Sequence, residues 1–150
     1  MKIAIGNDHT GLALKRAITE MLVGLGHQVQ DMGTDTDTSV DYPVYGARAA
    51  RAVVSGECAL GIVICGTGVG IGISANKVKG VRCAICSEVC SAVLSRQHND
   101  ANMLALGSRV VAPEYAQMFV RAFVESAFDG GRHARRVGQV HALEEGGQLE

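Results

Sequence analysis

Cys65 is the residue best placed to do chemistry. It ends a continuous apolar run, residues 59–65, and is followed by Gly66-Thr67-Gly68-Val69-Gly70-Ile71-Gly72. Glycines at alternate positions let a backbone approach a ligand closely and adopt positive φ. The loop leads into an expected helix, and a helix start offers unpaired N–H groups and a partial positive charge. Such a loop suits an anion, whether bound stably or formed during a reaction. A thiol directly before it lies where thiolate is favoured, and a thiolate can act as nucleophile or general base.

Three familiar uses of a glycine loop fail here. A dinucleotide fingerprint needs G-x-G-x-x-G, but the third glycine would fall on Ile71 or Ile73. A P-loop ends in Gly-Lys-Ser/Thr, and the lysine is missing. A cysteine phosphatase needs an arginine six positions after its thiol, and that position is Ile71.

Other polar groups could serve the same loop. His98, in Arg96-Gln97-His98-Asn99-Asp100, ends an expected helix, where a protonated imidazole is favoured and suits a proton donor. Asp8 and His9 follow the first strand, Tyr42 stands just before Pro43, and Arg109 lies just past the fifth strand. Arg132 and Arg136 are one turn apart if helical, a spacing that makes a phosphate clamp; otherwise they belong to a solvated basic tail.

The remaining cysteines suggest no metal centre. Cys83-Ala84-Ile85-Cys86 is formally C-x-x-C, but it falls in a buried strand, where residues three apart face opposite ways. Cys58 and Cys90 are expected to be small core residues.

These residues need a scaffold, and the apolar pattern supplies one. Strands are expected at residues 2–6, 28–32, 59–65, 81–86 and 103–106, with helices after residue 12 and over 43–55, 88–97 and 113–128. Strands alternating with helices mean βαβ units, so the expected fold is α/β, a Rossmann-like three-layer sandwich around a five-stranded parallel sheet. Ligands bind such sheets beyond the carboxyl ends of the strands, near the point where strand order reverses. That rule selects Asp8-His9, Cys65 with its loop, Ser87-Glu88 and the segment 107–109.

Composition narrows the class further. The chain has 150 residues, 14 basic against 15 acidic, for a formal charge of −1. One domain over residues 1–150 is expected, and no binding to nucleic acid, which needs a basic face. No apolar run reaches membrane-spanning length, and the first residues turn charged at once, so no signal peptide and a cytoplasmic location are expected. Charged residues make up only 19%, against ~25% in typical soluble domains, a hint that another subunit covers part of the surface.

Six segments together carry a resemblance. They are Gly6-Asn7-Asp8-His9, Ser39-Val40-Asp41-Tyr42-Pro43, Ile64-Cys65-Gly66-Thr67-Gly68-Val69-Gly70, Ser95-Arg96-Gln97-His98-Asn99-Asp100, Ala105-Leu106-Gly107-Ser108-Arg109 and Gly130-Gly131-Arg132-His133. In this order, along essentially the whole chain, they resemble the type B ribose-5-phosphate isomerases, a family that includes galactose-6-phosphate and allose-6-phosphate isomerases. The resemblance implies a Rossmann-like fold, no cofactor or metal, and a homodimer or dimer of dimers with active sites shared between subunits, the tail from about 130 to 150 packing on a partner. It implies Cys65 as the base moving a proton between C1 and C2 of a sugar phosphate. The amides of Gly66, Thr67, Gly68, Val69 and Gly70 would stabilise the enediolate. His98 would assist ring opening, Asp8 would bind sugar hydroxyls, Asn99 would contact substrate and Tyr42 would line the pocket. His9, Arg109, Arg132 and Arg136 would hold the phosphate. One branch of the family uses a glutamate base just beyond the loop; Ile71 stands there, which implies the cysteine branch. The expected reaction interconverts ribose 5-phosphate and ribulose 5-phosphate. A six-carbon substrate such as allose 6-phosphate, or a non-catalytic sugar-phosphate sensor that would need no thiolate, are the other readings these residues allow.

Overall fold

A computed structural model describes residues 1–149. Five strands form one parallel sheet: β1 (Lys2–Asn7), β2 (Gln28–Asp31), β3 (Leu60–Cys65), β4 (Cys83–Ile85) and β5 (Met103–Gly107), in spatial order β2-β1-β3-β5-β4. Six helices connect and follow them: α1 (Leu12–Gly24), α2 (Tyr42–Val54), α3 (Val69–Ala75), α4 (Val89–Asn99), α5 (Pro113–Glu125) and α6 (Arg132–Glu144).

The three-layer architecture follows from strands that are apolar on both faces. Ile62 and Ile64 of β3 join Ile3, Ile5, Leu104 and Leu106 against Leu14, Ile18 and Leu22 of α1 and Phe119 and Phe123 of α5. Val63 and Cys65 point the other way, with Ala4, Met103 and Ala105, against Ala49, Ala50 and Val53 of α2 and Ile71 and Ala75 of α3. The alternation puts the Cys65 sulfur on the α2–α3 face. Phe119 and Phe123 are wholly buried, and truncating either to alanine is expected to cost about 3–5 kcal/mol.

Cys83 and Cys86 fall in the two opposite clusters, so their sulfurs diverge as expected. Burial pushes the Cys83 thiol up to about 12, and burial followed by the nearby Glu88 carboxylate pushes Cys86 up to about 11. Cys58 is buried, but Cys90 is exposed, which corrects its expected place in the core. The reason is helical phase: α4 buries Ala92 and Ser95, and two residues of helix, about 200°, turn Cys90 away from Ala92.

Two helices stand beyond the four that the apolar pattern marked: α3, which was expected to follow the glycine loop, and α6. The seven-residue α3 grows directly out of the glycine loop. The basic tail is helical as α6, with only His133 and Val137 buried along it, and it packs on α4 of its own chain. Among the described residues no helix is long and apolar enough to cross a membrane.

Candidate active site

The strand order reverses between β1 and β3: from β1 the chain goes outward to β2, then back past β1 to β3. The carboxyl ends of these neighbours carry Asp8 and Cys65, and Cys65 pairs in register with Gly107 of β5. Residues distant in sequence therefore meet at one point of the sheet edge.

Hydrogen bonds knit this point together. Cys65 is buried, and the Gly68 amide donates to its Sγ at 3.2 Å. A backbone N–H aimed at sulfur stabilises negative charge there. Gly68 has φ +79°, and a Cβ at that position would stand 2.8 Å from the Leu106 carbonyl carbon, so only glycine suits both the torsion and the space. The Val69 amide donates to Thr67 Oγ1 at 3.3 Å. Tyr42, at the start of α2, lays its ring over Gly70: a Cβ on Gly70 would stand 2.6 Å from the phenol carbon that carries the hydroxyl. Arg109 lies against Gly66, where a Cβ would be 3.5 Å from Nη1.

Asp8, 5% exposed, caps the 3-10 turn His9–Gly11; its Oδ1 accepts from the Thr10 amide at 2.9 Å and from Thr10 Oγ1 at 2.6 Å. Ser108 Oγ bridges Thr10 Oγ1 and the Cys65 carbonyl, each at 3.3 Å, and the Ser108 amide donates to the same carbonyl at 2.9 Å. Thr10 and Ser108 thus join the ends of β1, β3 and β5. The Asp-x-Thr spacing, which favours a local side-chain turn, was the available sign for Thr10. Ser108 lies within the segment 107–109 that the strand-end rule selected. His9 Nδ1 accepts from the Val40 amide at 3.2 Å.

The structure brings Asp8, His9, Tyr42, Cys65, the loop from Gly66 to Gly70, and Arg109 to this edge. It does not bring the rest. Helix α4 runs back along the sheet and ends at Asn99, just before β5 begins at Met103. His98 and Asn99 therefore lie at the amino edge. The register pairs Gly61 with Met103 and Cys65 with Gly107, so four strand rises separate the edges, about 13 Å. Arg132 and Arg136 lie on α6 beside the same amino edge: Arg136 lines a cavity of about 360 Å³ with Asn99, Val81, Arg82 and Val140. Ser87 and Glu88, which the strand-end rule also selected, are away from the switch point, and Glu88 is engaged in capping α4 through the Ser91 amide at 2.8 Å.

His98 is stacked face to face on His133, with centroids 4.1 Å apart and planes 4° from parallel. Removal from water, and then the positive neighbours His98, Arg132 and Arg136, hold the His133 pKa below that of a free histidine. His98, Asp129 and His133 each place one ligand atom within 4.8 Å of the others. Parallel stacked rings cannot both aim an in-plane lone pair at one ion, and the adjacent arginines oppose a cation, so this trio is poorly suited to a metal.

Residues 3–140 match the family model described as Ribose/Galactose Isomerase. The chain belongs to that family. It is 52% identical over 144 residues to ribose-5-phosphate isomerase B of Escherichia coli, covering 96% of this chain and 97% of that protein. The structure of Clostridium thermocellum ribose-5-phosphate isomerase B superposes with a TM-score of 0.95 at 53% identity, over 97% of this chain and 99% of that one. The Mycoplasma genitalium ribose-5-phosphate isomerase B, solved with bound ribulose-5-phosphate, gives 0.91 at 42% identity over 96% of each chain. Within the ribose/galactose isomerase family this chain is an aldose–ketose isomerase.

Proposed function

We propose that the chain interconverts ribose 5-phosphate and ribulose 5-phosphate in the cytoplasm, within the pentose phosphate pathway, through a cis-enediolate and with Cys65 as the base. The observation that carries this reading is the Cys65 sulfur at the switch point, held by the Gly68 amide at the head of a loop of further amides. A carbon acid next to a carbonyl loses its proton only if the charge that develops on oxygen is stabilised. One lost donor of that kind costs about 2.7–4 kcal/mol. In the proposed cycle His98 helps open the furanose ring. Cys65 removes the C2 proton of the aldose and returns it to C1. The amides of Gly66 to Gly70, with Thr67, hold the enediolate oxygen. Asp8 binds hydroxyls, Tyr42 closes the pocket over Gly70 and Asn99 contacts the sugar. His9, Arg109, Arg132 and Arg136 hold the phosphate, whose binding energy positions the distant reacting carbons.

The separation of His98, Asn99, Arg132 and Arg136 from Cys65 within one chain supports a site built by two chains. In the proposed dimer, or dimer of dimers, the amino edge of one subunit faces the carboxyl edge of the other. The outer face of α6, with Val140 and Leu143 exposed, packs on the partner. The family description also names galactose, and one added CHOH unit asks only for a deeper pocket, so a six-carbon phosphate is the second substrate to test.

The test is turnover of the purified chain on five- and six-carbon sugar phosphates, run in D2O to follow label at the reacting carbons. Ribose 5-phosphate should show the highest kcat/KM. Cys65→Ala should lose about 10³-fold or more in kcat while substrate binding is nearly retained. Turnover near wild type in that variant contradicts the mechanism, and a better kcat/KM on a six-carbon phosphate replaces the substrate.

A further inference from the structure

Lys15 is a buried cation that the proposed cycle does not use. It lies on α1 with its side chain 5% exposed. Its Nζ donates to Asp31 Oδ2 at 2.8 Å, to Asp35 Oδ1 at 2.8 Å and to the Thr34 carbonyl at 2.9 Å. Three donors meet three acceptors, which is the full capacity of an ammonium group. Lysine is rarely buried without such pairing. Burial alone would disfavour its charge, and the hydrogen bonds to Asp31 and Asp35 outweigh that, so its pKa lies above that of a free lysine.

All three acceptors belong to the end of β2 and the connection from β2 to α2. This connection has no regular structure between Asp31 and Tyr42, yet it is anchored at its origin. The Thr34 carbonyl also accepts from Asn7 Nδ2 at 3.1 Å, and Asp31 Oδ1 accepts from the Gly33 amide at 2.8 Å. From Thr34 onward, hydroxyls step the chain forward: Thr36 N–H donates to Thr34 Oγ1 at 3.2 Å and Thr38 N–H to Thr36 Oγ1 at 3.1 Å. Two residues later Val40 N–H reaches His9 Nδ1, and two after that Tyr42 lies over Gly70. A nitrogen that accepts a hydrogen bond carries no proton, so this contact assigns the His9 proton to Nε2, which then serves as a donor.

We infer that Lys15 is a positioning residue: by anchoring the β2–α2 connection it holds His9 in its Nε2–H tautomer and sets Tyr42 over the glycine loop. What His9 and Tyr42 contribute to turnover rests on the isomerase reading above; the tether itself does not.

Lys15→Met keeps the shape of the side chain and removes the ammonium. In the wild-type protein, 15N spectra of the His9 ring, assigned by comparison with His9→Asn, should show an unprotonated Nδ1 and a protonated Nε2. In Lys15→Met the two tautomers should interconvert. KM for ribose 5-phosphate should rise about tenfold while kcat stays within about threefold, as for lost orientation of a binding group. A purely structural lysine would lower the melting temperature and leave both readouts unchanged, and that result overturns the inference. If Lys15→Met does not fold, the double variant Asp31→Asn/Asp35→Asn takes its place, since both carboxylates reach solvent, with side chains 49% and 90% exposed. It should show the same tautomer exchange and a smaller rise in KM, and unchanged values again overturn the inference. Absence of isomerase activity in the wild-type protein would remove the isomerase reading, while the ring spectra would still decide the tether.

Discussion

The two edges of the sheet are built in different ways. At the carboxyl edge, Asp8, Cys65 and the loop glycines Gly66, Gly68 and Gly70 are buried or half-buried, the Cys65 sulfur takes a backbone donor, and Thr10 and Ser108 bind three strand ends together. At the amino edge, His98 is held by a stacking partner, and Arg132 and Arg136 stand exposed on a helix that buries only two residues. The first edge has a thiol and a row of backbone amides but few cations. The second has cations and an imidazole but no thiol. On the proposed reading each is half a site, and charged groups left unsatisfied on an open surface suit a partner that supplies the other half.

This contrast can be broken at several levels. The largest effect is expected at the amino edge from Arg132→Ala/Arg136→Ala, which should lower kcat/KM for ribose 5-phosphate by about 10³-fold, from two lost charge-assisted bonds of about 1.5–3 kcal/mol each. The loss should appear chiefly in KM in steady-state assays. An unchanged KM would detach this edge from the phosphate.

At the carboxyl edge, Gly68→Ala should cost about 1–3 kcal/mol of stability, because alanine is strained at positive φ, and the displaced amide should reduce kcat about ten- to hundredfold. Denaturant titration and initial rates check both parts. A variant with full activity would show that the Gly68 amide is not needed at the sulfur.

The smallest effect belongs to Cys83, which opens β4, and Cys86, just past its end. Cys83 and Cys86 stay protonated in the fold up to about 12 and about 11, above the ordinary thiol value of 9.0. The unfolded chain gives up these protons first, so stability should be present below pH 9 and fall as pH rises toward 11–12. Urea unfolding across that range should show the decline, and Cys83→Ala/Cys86→Ala should flatten it. A flat wild-type profile would mean that these thiols ionise freely.

Much of this organisation was legible before any coordinates. The apolar run ending at Cys65 marked β3, because a strand covered on both faces needs apolar residues throughout, and the strand-end rule then selected Asp8, the loop and Arg109. Other features depend on tertiary arrangement. Helix α6 buries only His133 and Val137, too few to mark a stripe. Cys90 looked like core because its type is usually buried, and the phase of α4 turned it outward. The division of the candidate site was implied only by the resemblance and not by the residues themselves. Which edge His98 reaches depends on the direction of α4 relative to the sheet, and nothing in Arg96-Gln97-His98-Asn99-Asp100 records that.

The most direct test of a shared site is complementation between two inactive proteins. Cys65→Ala and His98→Asn are purified separately, mixed, unfolded and refolded together, and assayed on ribose 5-phosphate. If one chain supplies the sulfur and its partner the imidazole, random pairing makes half the dimers hybrid, each with one intact site, and activity should recover to about one quarter of wild type. A mixture no more active than the two variants assayed apart would contradict the account.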